Sequence, residues 1–350
     1  MNAQDSLNQP KVMKESKNKI RVDFERTPLK ERLKAKFLSM FFVKKLVWYI
    51  FRLVLLVGIS YIVLFPFFSK IAGSFMSPED FVDVTVRLIP KHFTLNMYKA
   101  IILENGFFEA FKNTFILSLS AAILQTFSCC LVGYGIAKFK FKGNNLVFFA
   151  VLLTMVLPHQ TLSFSFSVNF TYFWQSFFGL LNSIGLVSDE IASGLNLINT
   201  HWPMALLSAT ALAFKNGLYI FLFRQFFRGV PDELEESAYI DGSGVFRTYF
   251  QIIIPLSVPT MITVFLFSFC WQWTDDFYTN LFYTVSKMKL MPHIVSVPSS
   301  LIMDFAGKNL YEAAIKNACG ILIIIPLIIL YVFCQKFLVQ GIERSGLTAD

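Results

Sequence analysis

The chain has 350 residues, 55% of them hydrophobic and only 15% charged, with 41 phenylalanines and a mean hydropathy of +0.56. A water-soluble domain of this length carries more charge and less apolar mass, so the composition excludes an ordinary soluble protein and points to a membrane protein. The net charge of +8 is concentrated in the first 45 residues, where Lys11, Lys14, Lys17, Lys19, Arg21 and further cations up to Lys45 precede the first apolar run. A basic arm in that position reads as a cytoplasmic flank against anionic lipid heads, not as a nucleic-acid ligand.

The sequence predicts residues 1–45 as a basic cytoplasmic arm and 46–350 as a transmembrane domain. No cleaved leader is expected, because the first apolar run starts far from Met1 and is long enough to span. A helix needs about 20 mostly apolar residues to cross the hydrocarbon core. Six stretches qualify: 46–68 with only Arg52 charged, 114–137 with no charge, 145–163 containing Pro158, 203–223 containing Lys215, 255–273, and 318–338. Within lipid each backbone polar group needs an internal partner, so the spans are expected to be helices and the fold all-α. Loop charge sets direction. The arm, the connection holding Lys138, Lys140 and Lys142, the connection holding Arg224, Arg228 and Arg247, and the tail with Lys336 and Arg344 alternate with the other segments. One sidedness satisfies all four, with both termini cytoplasmic. Cys129, Cys130, Cys270, Cys319 and Cys334 fall inside apolar runs without zinc-ligand spacing, so they are predicted to be packing residues and no metal site is expected.

The most informative segment is residues 230–254, with Pro255 opening the next span. Pro231 suits a first helical turn, and Asp232 and Glu233 sit where the helix dipole favours anions. A helix through Leu234, Ser237, Ala238 and Ile240 would stop at Gly242, which tolerates positive φ. A second short helix follows from about Val245, with Phe246, Phe250 and Ile253 or Ile254 on one side. So much ordered apolar surface in a loop implies a partner that covers it.

Glu236-Ser237-Ala238, three residues, Gly242, nine residues, Ile252, one residue and Ile254-Pro255 resembles the EAA loop of ABC importer permeases. That loop reads Glu-Ala-Ala, three residues, Gly, nine residues, Ile, one residue, Leu-Pro. The resemblance implies the six-helix core of a type I importer. In that core the loop is a coupling helix docked on an ATPase, with Glu235, Glu236, Ser237, Ala238, Ile240, Asp241, Gly242 and Phe246 as the coupling residues. Further stretches resemble the carbohydrate-uptake, maltose-type branch of the family: Asn113-Thr114, the run Gly133 to Ala137 with Phe139 and Phe141, and the tail Gln335 to Ile342. After Ile342 the sequence departs from the branch's Thr, any residue, Gly pattern. The implied function is a permease subunit that moves a sugar or oligosaccharide by alternating access. The implied partners are a second permease subunit, two ATPase subunits and an extracellular or periplasmic solute-binding protein.

No Gly, four residues, Gly-Lys-Ser/Thr run is present, and Gly242-Ser243-Gly244 lacks the following Lys. This chain is therefore expected to bind no cofactor and to catalyse nothing, ATP being used by the partner subunits. For the cargo path, aromatic and polar residues are the candidates. Trp271, Trp273 and Asp275 end the fifth span, His159 and Gln160 follow Pro158, and Lys215 is a cation near mid-span, where charge is costly. Both tryptophans also suit interfacial anchors, His159 a packed interface, and Lys215 a snorkelling position. The competing functions are a permease for an amino acid, phosphate or glycerol phosphate, and a stand-alone secondary transporter. The latter would need acidic residues within the spans, whose middles contain no Asp or Glu.

Overall fold

A computed structural model describes residues 40–186, 188–192, 194–213 and 215–344. The first 39 residues of the basic arm and the residues after Arg344 lie outside the described residues. The helices are α1 (Met40–Gly73), α2 (Asn96–Glu104), α3 (Phe107–Lys138), α4 (Asn144–Val156), α5 (Ser163–Thr171), α6 (Gln175–Ser183) and α7 (Asp189–Ala192). They continue with α8 (Trp202–Ala209), α9 (Asn216–Arg228), α10 (Glu233–Ile240), α11 (Val245–Thr248), α12 (Ile254–Trp273), α13 (Phe277–Phe282) and α14 (Lys308–Arg344). The fold is all-α, as expected; among the described residues extended pairing is limited to isolated bridges.

The chain divides between Pro66 and Phe67 into two units. The described part of the first is most of α1, whose side chains are apolar on every face. In the second unit α3 is the central post. It packs against α8, α9 and α12. Three hydrophobic clusters pack along it, one around Trp273, Met97, Ile101 and Ile315, one around Tyr134, Phe223, Phe227, Tyr249 and Ile253, and one around Leu117, Phe170, Met204 and Phe282.

Among the described residues four helical segments are long and apolar enough to cross a membrane: Val43–Gly73, Phe107–Lys138, Val245–Trp273 and Lys308–Phe337. The other two expected spans are broken. The stretch predicted at 145–163 is helical only to Val156. Leu157 and Pro158 are extended (ψ 125° for both), and the chain turns by 97° before it continues to Thr171. Proline lacks the N–H that a helix needs and disfavours the helical conformation at the residue before it. The stretch predicted at 203–223 is two helices, α8 and α9, separated by a segment in which Ala211 and Lys215 have φ of 57° and 73°. Non-glycine residues in that region are strained and persist only where surrounding structure holds them. The fifth span begins ten residues earlier than expected, at Val245, through a wide π turn over Tyr249–Ile253. There the Ile254 N–H donates to the Tyr249 carbonyl five residues back, a register that spares Pro255 the usual clash with the carbonyl four residues before it.

Close approach between helices depends on particular small residues. A Cβ at Gly133 would lie 2.5 Å from Phe223 Cβ and 3.2 Å from the Arg224 nitrogen, so α3 and α9 meet backbone to backbone. Polar ties join α3 to its other neighbours. Ser268 Oγ donates to Gln125 Oε1 (2.5 Å), Gln125 Nε2 donates to Ser208 Oγ (3.2 Å), and Ser128 Oγ donates to the Ser208 carbonyl (2.7 Å), which joins α12, α3 and α8. Small residues and interhelical hydrogen bonds are the usual cement of membrane helices, where lipid offers no hydrophobic contrast.

Candidate functional site

At one end of the bundle, residues 230–254 form the expected helix, turn and helix. Asp232 caps α10, its carbonyl accepting from the N–H groups of Glu235 and Glu236. The stop is a Schellman motif: Gly242 has φ 81°, its N–H donates to the Tyr239 carbonyl (3.0 Å), and the Ser243 N–H donates to the Ala238 carbonyl (2.9 Å). Only a residue free of Cβ strain sits there cheaply, which is the physical content of the Gly in the motif.

The eight expected coupling residues split between two faces. Glu236, Ser237, Asp241 and Gly242 are exposed, as are Ile240 (86% exposed) and Phe246 (78%). With Tyr239, Val245 and Phe250 they form an apolar surface set among acids, outside the bundle. Glu235 and Ala238 point the other way and are buried. Tyr134 Oη donates to Glu235 Oε2 (3.1 Å), and Lys138 Nζ lies 3.5 Å from Glu235 Oε1. Lys138 also donates to Asp232 Oδ1 (2.6 Å) and to the Val230 carbonyl (2.7 Å). Its ammonium holds the Asp232 carboxyl below the ordinary value. Of the expected shared side of Phe246, Phe250 and Ile253 or Ile254, Ile253 does not take part, and Ile254 is half-buried. Phe246 and Phe250 are exposed whereas Ile253 is fully buried, because the wide turn re-aims the residues after Tyr249.

The second region is the cavity at the broken helices. A space of about 340 Å³ is lined by Thr154, Met155, His159, Leu207, Ala211 and Lys215 among others. Beside it is a small polar recess that shares Lys215 and is lined by Gln125, Tyr219, Ser268, Trp271, Gln272, Asp275 and Tyr278. Lys215 Nζ lies 4.8 Å from the centre of the Trp271 ring, a cation–π arrangement, and Tyr219 stacks on the same ring at 6.0 Å. His159 Nδ1 is 3.1 Å from the Tyr278 hydroxyl. The Gln272 Nε2 is buried and has no partner among the described residues.

Of the six expected cargo-path residues, the fold thus brings Trp271, Asp275, His159 and Lys215 together. It does not bring the other two. Trp273 is fully buried on the opposite face of α12, where its Nε1–H donates to the Ile323 carbonyl of α14 (3.0 Å); neighbours two apart on a helix point to different sides. Gln160 is exposed and lines neither space. Lys215 is not in mid-helix but at the left-handed residue that opens α9. Gln125, Tyr219, Ser268 and Tyr278 carry no motif, although a glutamine in an uncharged apolar span is itself a hint of an internal polar site.

The Asp275 carboxylate also has a structural task. It accepts from the N–H groups of Tyr278 (2.8 Å) and Thr279 (3.2 Å) at the start of α13, while burial pushes its pKa up to about 6. A group whose native pKa lies above its unfolded value holds its proton more tightly in the native state, so ionisation works against the fold. The thermal midpoint of the detergent-solubilised wild type, relative to that of Asp275→Asn, is therefore expected to fall as pH rises from about 4 to 6.

Apolar spans broken around an internal recess, and a capped helix with an exposed apolar face at one end of the bundle, are the frame of an integral membrane permease. Residues 130–344 match the family described as the binding-protein-dependent transport system inner membrane component, and the chain belongs to that family. It is 23% identical to the inner membrane ABC transporter permease protein YcjP of Escherichia coli (strain K12), over 81% of this chain and 91% of that one. It is 26% identical to the arabinooligosaccharides transport system permease protein AraQ of Bacillus subtilis (strain 168), over 82% and 92%. To the polygalacturonan/rhamnogalacturonan transport system permease protein YtcP of the same organism it is 27% identical, over 79% and 89%. Among solved structures, the fold matches a bacterial ABC transporter involved in the import of the acidic polysaccharide alginate, with a TM-score of 0.61 and 19% identity over 84% of this chain and 97% of that one.

Proposed function

We propose that this chain is one permease subunit of an ATP-driven importer whose cargo is a sugar or oligosaccharide. A second permease chain and two ATPase subunits complete the translocating unit, and a solute-binding protein delivers the cargo. Both termini face the cytoplasm, so the exposed α10 meets the ATPase pair from inside. ATP is used by those partners and this chain catalyses nothing. Closure of the ATPase pair pushes α10, and the spans rock between inward-open and outward-open states.

The observation that carries the cargo assignment is the cavity of about 340 Å³ at the broken α8–α9 pair, with the polar recess of about 20 Å³ beside it. Trp271 lines the recess beside the Lys215 ammonium, and the Gln272 Nε2, which has no partner among the described residues, supplies a donor for a hydroxyl. An aromatic face with an amide beside it is the chemistry that a sugar ring requires. Relatives named for arabinooligosaccharide and polygalacturonan transport support the same class. The experiment is uptake of a labelled panel (arabino-, galacturono- and malto-oligosaccharides, an amino acid, phosphate) by cells that express the complete transporter. Oligosaccharide uptake is expected, and Trp271→Ala is expected to lower it about tenfold, the rate equivalent of one lost stacking contact. Uptake of the amino acid or phosphate alone would refute the cargo assignment.

A further inference from the structure

The chain on either side of α10 is poorly suited to transmit force. Gly229-Val230-Pro231 precedes it and Gly242-Ser243-Gly244 follows it, and glycine-rich turns bend cheaply. The strong connection is made by side chains. Glu235 turns its carboxylate into the bundle with only 10% of the side chain exposed, and there it meets the Tyr134 hydroxyl and the Lys138 ammonium. Lys138, 7% exposed, is the last residue of α3 and also grips the Val230 carbonyl and Asp232. The Tyr134 ring packs on Phe227 (5.5 Å) and Tyr249 (4.9 Å), so one side chain joins α3, α9 and the wide turn that leads into α12.

We propose that Glu235, Tyr134 and Lys138 form a buried latch that delivers the movement of α10 to α3. They act as positioning residues for transport and touch neither ATPase nor cargo. Gln125 lies thirteen residues before Lys138 on the same helix, about 20 Å along its axis, and lines the polar recess. A rigid helix pulled at its end thus shifts the wall of the cargo site. A buried ion pair suits this task, because separating it leaves an uncompensated charge and the two helices move together instead. The inference rests on the proposed docking of α10 to an ATPase.

The test uses the assembled transporter with Glu235→Gln, Tyr134→Phe, the double variant and Lys138→Arg. Glu235→Gln is expected to lower uptake at least about tenfold while the ATPase still co-purifies and still hydrolyses ATP. Tyr134→Phe moves uptake in the same direction, the double variant is no worse than Glu235→Gln alone, and Lys138→Arg, which keeps the charge, transports within about twofold of wild type. Wild-type uptake by Glu235→Gln, or loss of the ATPase from that variant's complex, would overturn the latch. Should Glu235→Gln not assemble, wild-type uptake by Tyr134→Phe overturns it equally. A wild-type preparation that carries no ATPase would instead overturn the proposed function, and the latch with it.

Discussion

Replacing Glu236 with lysine is expected to abolish uptake while leaving the chain inserted and folded. Glu236 is exposed in the first turn of α10, where a carboxylate gains only about 0.3–1 kcal/mol from the helix dipole, too little for its loss to unfold the bundle. The same position stands on the surface that would enter an ATPase groove. A reversed charge desolvated at such an interface costs about 2–5 kcal/mol, equivalent to a loss of about thirtyfold or more. The measurements are cargo uptake, ATP hydrolysis and membrane yield on one set of cells. The expected pattern is uptake lost, hydrolysis no longer linked to cargo, and yield unchanged. Normal uptake would remove Glu236 from the coupling surface. The contrast with Glu235, one residue earlier and facing inward, is itself informative. Glu235→Gln is expected to keep the ATPase attached, whereas Glu236→Lys is expected to release it.

The second large effect concerns two glycines two residues apart. Gly133→Ala is expected to destabilise the protein by roughly 1–3 kcal/mol, and Gly133→Leu to prevent assembly, because the new Cβ would collide with Phe223 Cβ at 2.5 Å and with the α9 backbone at 3.2 Å. Gly135→Ala is expected to be neutral or stabilising by up to about 1 kcal/mol. Nothing lies within 4 Å of its added Cβ, and alanine is the better helix former. Size-exclusion profiles and thermal midpoints of the solubilised proteins separate the two. Equal behaviour at both positions would contradict the close α3–α9 contact.

The run Gly133-Tyr134-Gly135-Ile136-Ala137 illustrates how far the sequence could be read. As a string it marks a resemblance to carbohydrate-uptake permeases and does not distinguish its two glycines. Tyr134 becomes the partner of Glu235 only when α3 and α10, a hundred residues apart in the chain, are brought together. The same holds for the cargo recess. Trp271 and Trp273 look equivalent in sequence, yet the helical turn of α12 sends one to the recess and the other into the α14 contact. Pro158 did announce a break in the third predicted span, since its effect is local. The break at Ala211 and Lys215 had a weaker sign, the dipeptide Asn216-Gly217 just after it, which the apolar run around it masks; packing of neighbours holds the left-handed residues.

What the sequence determined by itself was whatever depends on local chemistry: apolar runs long enough to need a membrane, an alternation of loop charge, a helix that begins after Pro231 and stops at Gly242, and a spacing that marks a family. What only the tertiary structure decided was direction. It set which of two adjacent glutamates faces out, which tryptophan reaches the polar recess, and which glycine admits a second helix. Those choices depend on the rotation of each helix about its axis, and that rotation is set by contacts with segments distant in the chain.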